Sequence, residues 1–381
     1  MEPFDAVGAD SSAIQSYLRT NGSGARALVC VWASPLRKDI LDCLPSLELV
    51  VVACAGYNHI DLSECRRRGI LVANVGDVSS EDVADYTVGM LLDVLRKFSA
   101  ADRYVRGGVW PRPGEFPLGS SWSPSLLRCL WQIPASCQQN AHGAELNQHA
   151  SAALQESLWP SCGLQPSAAG CLRTVLLVRG SLQLDVAAWT AWVAGQPPIP
   201  PLQQPHYMRG KRIGIVGLGS IGTFVANRLI PFGCTIAYNS RQKKSSVSFP
   251  YYANVYDLAL DSDILILCCS LTDQTHHIID KKVLTALGKD GYVINVGRGA
   301  LINENELVQS LVEGEIGGAG LDVFEYEPNI SKELFGLDNV VLSPHRAAFT
   351  PQSFKAVEDI VVANLEAFFS NKPLITPIRL E

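Results

Sequence analysis

The pattern that most constrains this chain is Gly217-Leu218-Gly219-Ser220-Ile221-Gly222, a G-x-G-x-x-G run in a defined local setting. It follows the apolar strand pattern Ile213-Gly214-Ile215-Val216 and opens a helical pattern over Thr223–Leu229. That context, rather than the glycines alone, is what a dinucleotide-binding turn requires. Gly217 permits the tight turn, Gly219 admits a pyrophosphate to the backbone, and Gly222 lets helix and strand pack closely. The helix N-terminus then offers N–H donors and a positive dipole end to the phosphates.

The surrounding rhythm extends this unit. Strand patterns fall at 212–216, 235–238, 264–268, 292–296, 318–321 and 340–342, with helical patterns between them. Such alternation predicts a parallel sheet covered by helices on both faces. Upstream, Leu47–Cys54 and Ile70–Val75 read as buried strands. Ser79-Ser80-Glu81-Asp82 suits a helix start. Val83, Thr87, Met90, Leu91, Val94, Leu95 and Phe98 then follow at helical spacing, predicting one long amphipathic helix. A last helix is expected over 351–370, with Pro351 in its first turn.

Composition narrows the class. The 381 residues suggest two domains, or three. The net charge of −6 argues against nucleic-acid binding. No apolar run approaches the roughly 18 residues of a membrane span. The start, Met1-Glu2-Pro3-Phe4-Asp5, lacks the features of a secretory signal. The eleven Cys contain no C-x-x-C pair and read as intracellular thiols. A cytoplasmic location follows as an expectation, and no metal is expected.

Charged residues make up only 18% of the chain, and the deficit is local. Residues 121–207 hold six charged side chains and no Lys or Phe, yet carry five of the seven Trp. Pro197-Pro198-Ile199-Pro200-Pro201 excludes helix interior or central strand there. This segment is read as an atypical, poorly ordered insertion. His142, His149 and His206 within it are read as incidental.

The turn after the second strand of the dinucleotide unit selects the cofactor. About 20 residues after the glycines, an NAD-binding unit places an acid on the ribose hydroxyls. Here Asn239 stands at that place, followed by Ser240, Arg241, Gln242, Lys243 and Lys244. The acid that would repel a 2′-phosphate is absent, and Arg241 can clamp a phosphate with paired hydrogen bonds. The reading is NADP(H), with NAD(H) the weaker alternative.

Hydride transfer to a 2-oxo acid needs a cation for the carboxylate and carbonyl, an acid to protonate the alkoxide, and a carboxylate to keep that acid charged. Arg298 lies just past a strand, where open α/β sheets bind ligands. His345, in Ser343-Pro344-His345, lies just past another, and Glu327 precedes Pro328. Glu325 is the competing acid for the third role.

Several long motifs occur together: GIVGLGSIG at 214–222, VINVGRGALINENELV at 293–308, GGAGLDVFEYEP at 317–328 and NVVLSPHRAAFTP at 339–351. VVACAGYNHIDLSECRRRGILVANVG at 51–76 and EDVADYTVGMLLDVLRK at 81–97 join them. The chain resembles the D-isomer-specific 2-hydroxyacid dehydrogenases, and within them the NADPH-preferring glyoxylate/hydroxypyruvate reductases of plants. The resemblance covers nearly everything except 121–207.

It implies that Arg298 binds the substrate carboxylate and carbonyl, His345 donates the proton in reduction, and Glu327 pairs with His345. It implies cofactor contacts at Gly217, Leu218, Gly219, Ser220, Ile221, Gly222, Ser240, Arg241 and Lys243. Ser270 and Val296 would line the cofactor groove, and Asp322 would hold the nicotinamide carboxamide. Backbone groups at Ala55 and Gly56 would cradle the substrate carboxylate.

The implied fold class is α/β, with two doubly wound parallel-sheet domains: a Rossmann-type cofactor domain and a flavodoxin-like substrate domain. The substrate domain spans 1–102 and is completed by the C-terminal helix in 348–381. Residues 103–120 form a helix end and arm, 121–207 the insertion, and 208–347 the NADP-binding domain. The substrate domain is expected to lack the family's opening strand, for which Phe4–Gly8 is a poor substitute. A homodimer is expected from the family, with the insertion at the dimer seam. The expected activity is NADPH-dependent reduction of glyoxylate to glycolate and of hydroxypyruvate to D-glycerate. The alternatives are a reductase of bulkier aryl pyruvates, or an inactive NADPH-binding isoform disrupted by the insertion.

Overall fold

The computed structural model describes residues 11–31, 35–106 and 206–379. The expectations for Phe4–Gly8, for the arm at 107–120 and for 121–205 lie outside the described residues. The described residues belong to one compact unit built on two sheets.

The smaller sheet contains β1 (Ala27–Cys30), β2 (Leu49–Val52) and β3 (Leu71–Ala73), parallel and in that order. Val29 aligns with Val51, and Val51 with Ala73. All four residues of β2 are buried, because helices cover both faces of a parallel sheet. The covering helices nearby are α1 (Ser11–Asn21), α2 (Lys38–Leu41) and α3 (Leu62–Arg68). Helix α3 starts at Asp61, whose side chain accepts from Glu64 N–H, and ends at Gly69 with φ +72°. The sequence reading missed α1, whose polar residues blur the apolar pattern, and β1, although Ala27–Cys30 is an unbroken apolar run.

Helix α4 (Ser80–Arg96) buries Val83, Ala84, Val88, Met90, Leu91, Val94 and Leu95. Each of these Val, Leu and Met side chains removed from water stabilises by about 1.5–3 kcal/mol. The predicted single helix stops sooner than expected. Lys97 adopts φ 60°, and a separate α5 (Phe98–Arg106) follows, its Ser99 N–H donating to Asp93 Oδ1 at 2.8 Å. A capping carboxylate thus competes with continuation of the helix.

The larger sheet has seven parallel strands: β4 (Arg212–Val216), β5 (Thr235–Asn239), β6 (Tyr251–Tyr252), β7 (Ile264–Leu267), β8 (Tyr292–Asn295), β9 (Gly318–Leu321) and β10 (Val340–Leu342). Their order is β10-β9-β8-β7-β4-β5-β6, which places a switch point between β4 and β7. Helices α6 (Ser220–Leu229), α7 (Val255–Leu260), α8 (Lys281–Leu287), α9 (Glu304–Val312) and α10 (Pro351–Phe369) complete the chain. Strand alternation divides the core. Ile264 and Ile266 join α4 and α6 on one face, while Leu265 and Leu267 join α7, α8 and α9 on the other.

The chain crosses twice between the sheets. Helix α4 follows the small sheet but packs in the core of the large one. Residues after α10 return to the small sheet, where Pro377 bridges Ala73 and Ile378 N–H donates to Val72 O at 2.8 Å. His206, within the 121–207 segment, packs against α4 and the large sheet. Its N–H donates to Leu95 O at 2.9 Å and its ring meets Tyr292 edge-on at 5.8 Å. His206 is therefore part of the fold rather than incidental. No helix among the described residues is long and apolar enough to cross a membrane.

Candidate active site

Every site residue expected on the large sheet lies beyond the carboxyl end of a strand. The glycine turn follows β4, Ser240 and Arg241 follow β5, and Ser270 follows β7. Val296 and Arg298 follow β8, Asp322 and Glu327 follow β9, and His345 follows β10. A parallel sheet brings these ends to one edge, so residues far apart in sequence meet there.

The three glycines differ in their surroundings as their roles require. Gly217 has φ +97°, and a Cβ there would lie 2.5 Å from Cys269 N. A Cβ on Gly222 would overlap Gly217 O, so helix and turn touch. Around Gly219, by contrast, nothing lies within 4 Å of a Cβ position. This open space at the start of α6 fits a pyrophosphate held by backbone N–H groups. Leu218 is buried in the core, so only its backbone can face a ligand, and Ile221 is partly buried against that core. Ser220 Oγ lies 3.4 Å from Asp77 Oδ2.

Beyond β5, the Ser240 hydroxyl donates to Gln242 O at 2.6 Å. Arg241 and Lys243 are exposed and have no hydrogen bond or ion pair among the described residues. Ser270 is exposed and Val296 buried.

Arg298 reaches across to the small sheet. Its Nε donates to Asn58 Oδ1 at 3.2 Å and its Nη1 to Gly297 O at 2.7 Å. A Cβ on Gly56 would overlap Arg298 Nη2, so the guanidinium lies directly on the Ala55-Gly56 backbone. Asn74 steadies that loop by donating to Ala55 O at 2.7 Å. Burial pushes the Cys54 thiol pKa up, with Arg298 pulling the other way. Burial and then the Arg298 charge push the His59 imidazole down, and both its ring nitrogens are buried without a partner among the described residues.

His345 Nδ1 lies 2.8 Å from Glu327 Oε2, and Phe324 N–H donates to Glu327 Oε1 at 2.9 Å. Burial would raise the Glu327 pKa. The His345 and Phe324 hydrogen bonds and the charges of His345 and Arg298 outweigh it, so Glu327 sits below its ordinary value. An ionised Glu327 can only accept, which makes Nδ1 the donor and leaves Nε2 as the other ring nitrogen. Glu325 does not join this pair; it binds His277 at 2.8 Å.

Asp322 is 1% exposed. Its carboxylate accepts from Ser343 Oγ, from Arg346 N–H at 2.9 Å and from Ala347 N–H at 3.0 Å. Its carbonyl accepts from His345 N–H at 2.7 Å. These bonds hold His345 at φ +51°, a backbone conformation uncommon outside glycine. Sequence reasoning did not single out Asn74 or the Tyr86–Ser343 pair, joined at 2.6 Å. For Asn74 a signal existed, since it too lies just past a strand.

Residues 188–347 match the NAD binding domain of the D-isomer specific 2-hydroxyacid dehydrogenases. A glyoxylate/hydroxypyruvate reductase of Arabidopsis thaliana is 43% identical over 371 residues, covering 97% of this chain and 88% of the relative. The chain belongs to the D-isomer specific 2-hydroxyacid dehydrogenases. A hydroxyphenylpyruvate reductase of Plectranthus scutellarioides is 36% identical, covering 96% of this chain and 88% of that one. The crystal structure of an NADPH-dependent glyoxylate/hydroxypyruvate reductase from Sinorhizobium meliloti, in complex with NADP and malonate, superposes with a TM-score of 0.68 at 30% identity. That match covers 100% of this chain and 89% of the other. As a 2-hydroxyacid dehydrogenase, the protein is an oxidoreductase with a fold that binds NAD(P).

Proposed function

We propose that this dehydrogenase reduces glyoxylate and hydroxypyruvate with NADPH, giving glycolate and D-glycerate. The observation that carries the reading is the meeting of Arg298 with the Gly56 backbone, with the charge of Arg298 acting on the Glu327–His345 pair. The dinucleotide, when bound, supplies the hydride. Arg298 binds the substrate carboxylate and polarises the carbonyl, and the Ala55-Gly56 backbone seats the carboxylate. His345 gives its proton to the forming alkoxide oxygen, and Glu327 stabilises the charged imidazole. Such an acid contributes about 10²–10⁴-fold.

The unpartnered Arg241 and Lys243, with Ser240, support NADPH over NADH. Gly217, Gly219 and Gly222 form the phosphate turn, and Ser270 and Val296 line the groove beyond it. We assign 1–102 with 348–381 to substrate binding and 208–347 to the cofactor. The family resemblance supports a homodimer, which light scattering tests, and the free thiols of the described cysteines support a cytoplasmic setting.

The deciding assay follows NADPH and NADH oxidation with glyoxylate, hydroxypyruvate and 4-hydroxyphenylpyruvate. A higher kcat/KM for the aryl substrate would overturn the substrate assignment, and the 36% identical hydroxyphenylpyruvate reductase makes that the second reading. Activity that appears only after deletion of 121–207 would identify the full chain as an inactive NADPH-binding form.

A further inference from the structure

We propose that His277, Glu325 and Glu304 form a positioning brace that holds the loop of Arg298 and the loop of Glu327 in register. The inference rests on the catalytic assignment above and deepens it.

The two loops meet backbone to backbone. Gly299 follows Arg298, and a Cβ there would overlap Phe324 C and O and Glu325 N. Phe324 N–H is the group that anchors Glu327. The brace lies beside this contact. His277 N–H donates to Ala300 O at 2.9 Å, in the 299–301 turn that follows Arg298. The His277 ring, through Nε2, binds Glu325 Oε1 at 2.8 Å on the other loop. One residue therefore holds the Arg298 turn with its main chain and the Glu327 loop with its side chain.

Glu304 completes the arrangement by a reciprocal pair. Glu325 N–H donates to Glu304 Oε2 at 2.8 Å, and Glu304 N–H donates to Glu325 Oε2 at 3.3 Å. Ser331 Oγ donates to Glu304 Oε1 at 2.7 Å, fixing the far end of the loop. Glu304 is 5% exposed and the Glu325 side chain 9%. Buried carboxylates persist where such donors meet them. His277 has φ +51°, a conformation that surroundings must enforce in a residue with a side chain. None of the three bonds the Arg298 guanidinium or the Glu327 carboxylate, so they act through the backbone.

A divalent cation is the competing occupant. His276 stacks on His277 with centroids 3.9 Å apart, and one ligand atom from each, with one from Glu325, falls within 4.8 Å of the others. The hydrogen bond already joining His277 to Glu325 favours the brace.

The test uses the full chain and four variants: Glu325→Ala, Glu325→Gln, His277→Asn and His345→Gln. Displacing reacting groups by about 1 Å can cost about 10²-fold, so Glu325→Ala is expected to lower kcat at least about tenfold while NADPH Kd stays within about twofold. Glu325→Gln keeps an acceptor for His277 and is expected to regain most of the loss. Asn tolerates positive φ, so His277→Asn removes the ring's bond without new backbone strain and is expected to lower kcat likewise even if Glu325→Ala does not fold. Wild-type kcat in both Glu325→Ala and His277→Asn overturns the brace, as does an EDTA-sensitive wild-type kcat. His345→Gln separates the two levels. If it keeps activity, the catalytic assignment fails. If it is inactive while the brace variants are unimpaired, the brace alone fails.

Discussion

Gly56 and Arg298 occupy adjoining space: a side chain at Gly56 would overlap Arg298 Nη2. The backbone of the small sheet's loop and the guanidinium of the large sheet's loop therefore share one surface, the proposed carboxylate seat. Gly56→Ala is expected to displace Arg298 and lower kcat/KM by about 10²-fold, because about 1 Å of misplacement costs that much. NADPH affinity should be unchanged, since the cofactor turn lies on the other sheet. Steady-state kinetics with glyoxylate and a fluorescence titration with NADPH check both halves.

The Glu327–His345 pair predicts a loss confined to chemistry. His345→Gln removes the proposed proton donor, and Glu327→Gln removes the charge proposed to favour imidazolium. Each should lower kcat by about 10²–10⁴-fold. Bound NADPH, read by fluorescence, should be retained in both.

Two glycines of the phosphate turn should fail differently. Gly222→Ala forces a methyl onto Gly217 O, and overpacking of this kind costs about 1–3 kcal/mol. Its melting temperature should fall without any ligand present. Gly219→Ala meets open space, so the ligand-free protein should keep its stability to about ±0.5 kcal/mol. It should lose NADPH binding instead, because the methyl occupies the room left for phosphate. Thermal unfolding with and without NADPH distinguishes the two.

Arg241→Asp tests the cofactor preference. Hydrogen bonds to charged groups contribute about 1.5–3 kcal/mol, so NADPH Kd should rise by at least about tenfold. NADH, which lacks the 2′-phosphate, should bind as before or better. Equal weakening of both would remove Arg241 from phosphate recognition.

Glu64 predicts an acid limb of stability. Hydrogen bonds from Arg67 and Arg68 hold its pKa at about 2, below the ordinary 4.5. Between those values the unfolded chain binds the proton and the folded chain does not, so stability rises with pH. The contribution is complete above pH 4.5 and fades as pH falls toward 2. Melting curves of wild type and Glu64→Gln should converge over that window.

Six of the seven strands of the large sheet were readable before the structure as short apolar runs, such as Ile264–Leu267, which is buried on both faces; β6, two half-buried residues long, was not. The phosphate turn was readable because its requirements are local: Gly217, Gly219 and Gly222 stand within six residues. Helix α1 was not, because Ser11–Asn21 carries few apolar residues among polar ones; β1 was passed over although Ala27–Cys30 is an unbroken apolar run.

Residue order also confined Arg298, Glu327 and His345 to strand ends, and a parallel sheet gathers such ends along one edge. Which side chain meets which depended on contacts between residues far apart in the chain. Glu325 and Glu327 are two residues apart and chemically alike, yet one binds His277 and the other His345. The family resemblance gives Asp322 the nicotinamide carboxamide, and only the structure shows that its carboxylate also accepts from Ser343 Oγ and from Arg346 and Ala347 N–H. Local propensity acts over a few residues and can specify turns, strands and helices. Partner choice depends on distances between loops brought together by packing, and those exist only once the two sheets have formed and the chain has crossed between them.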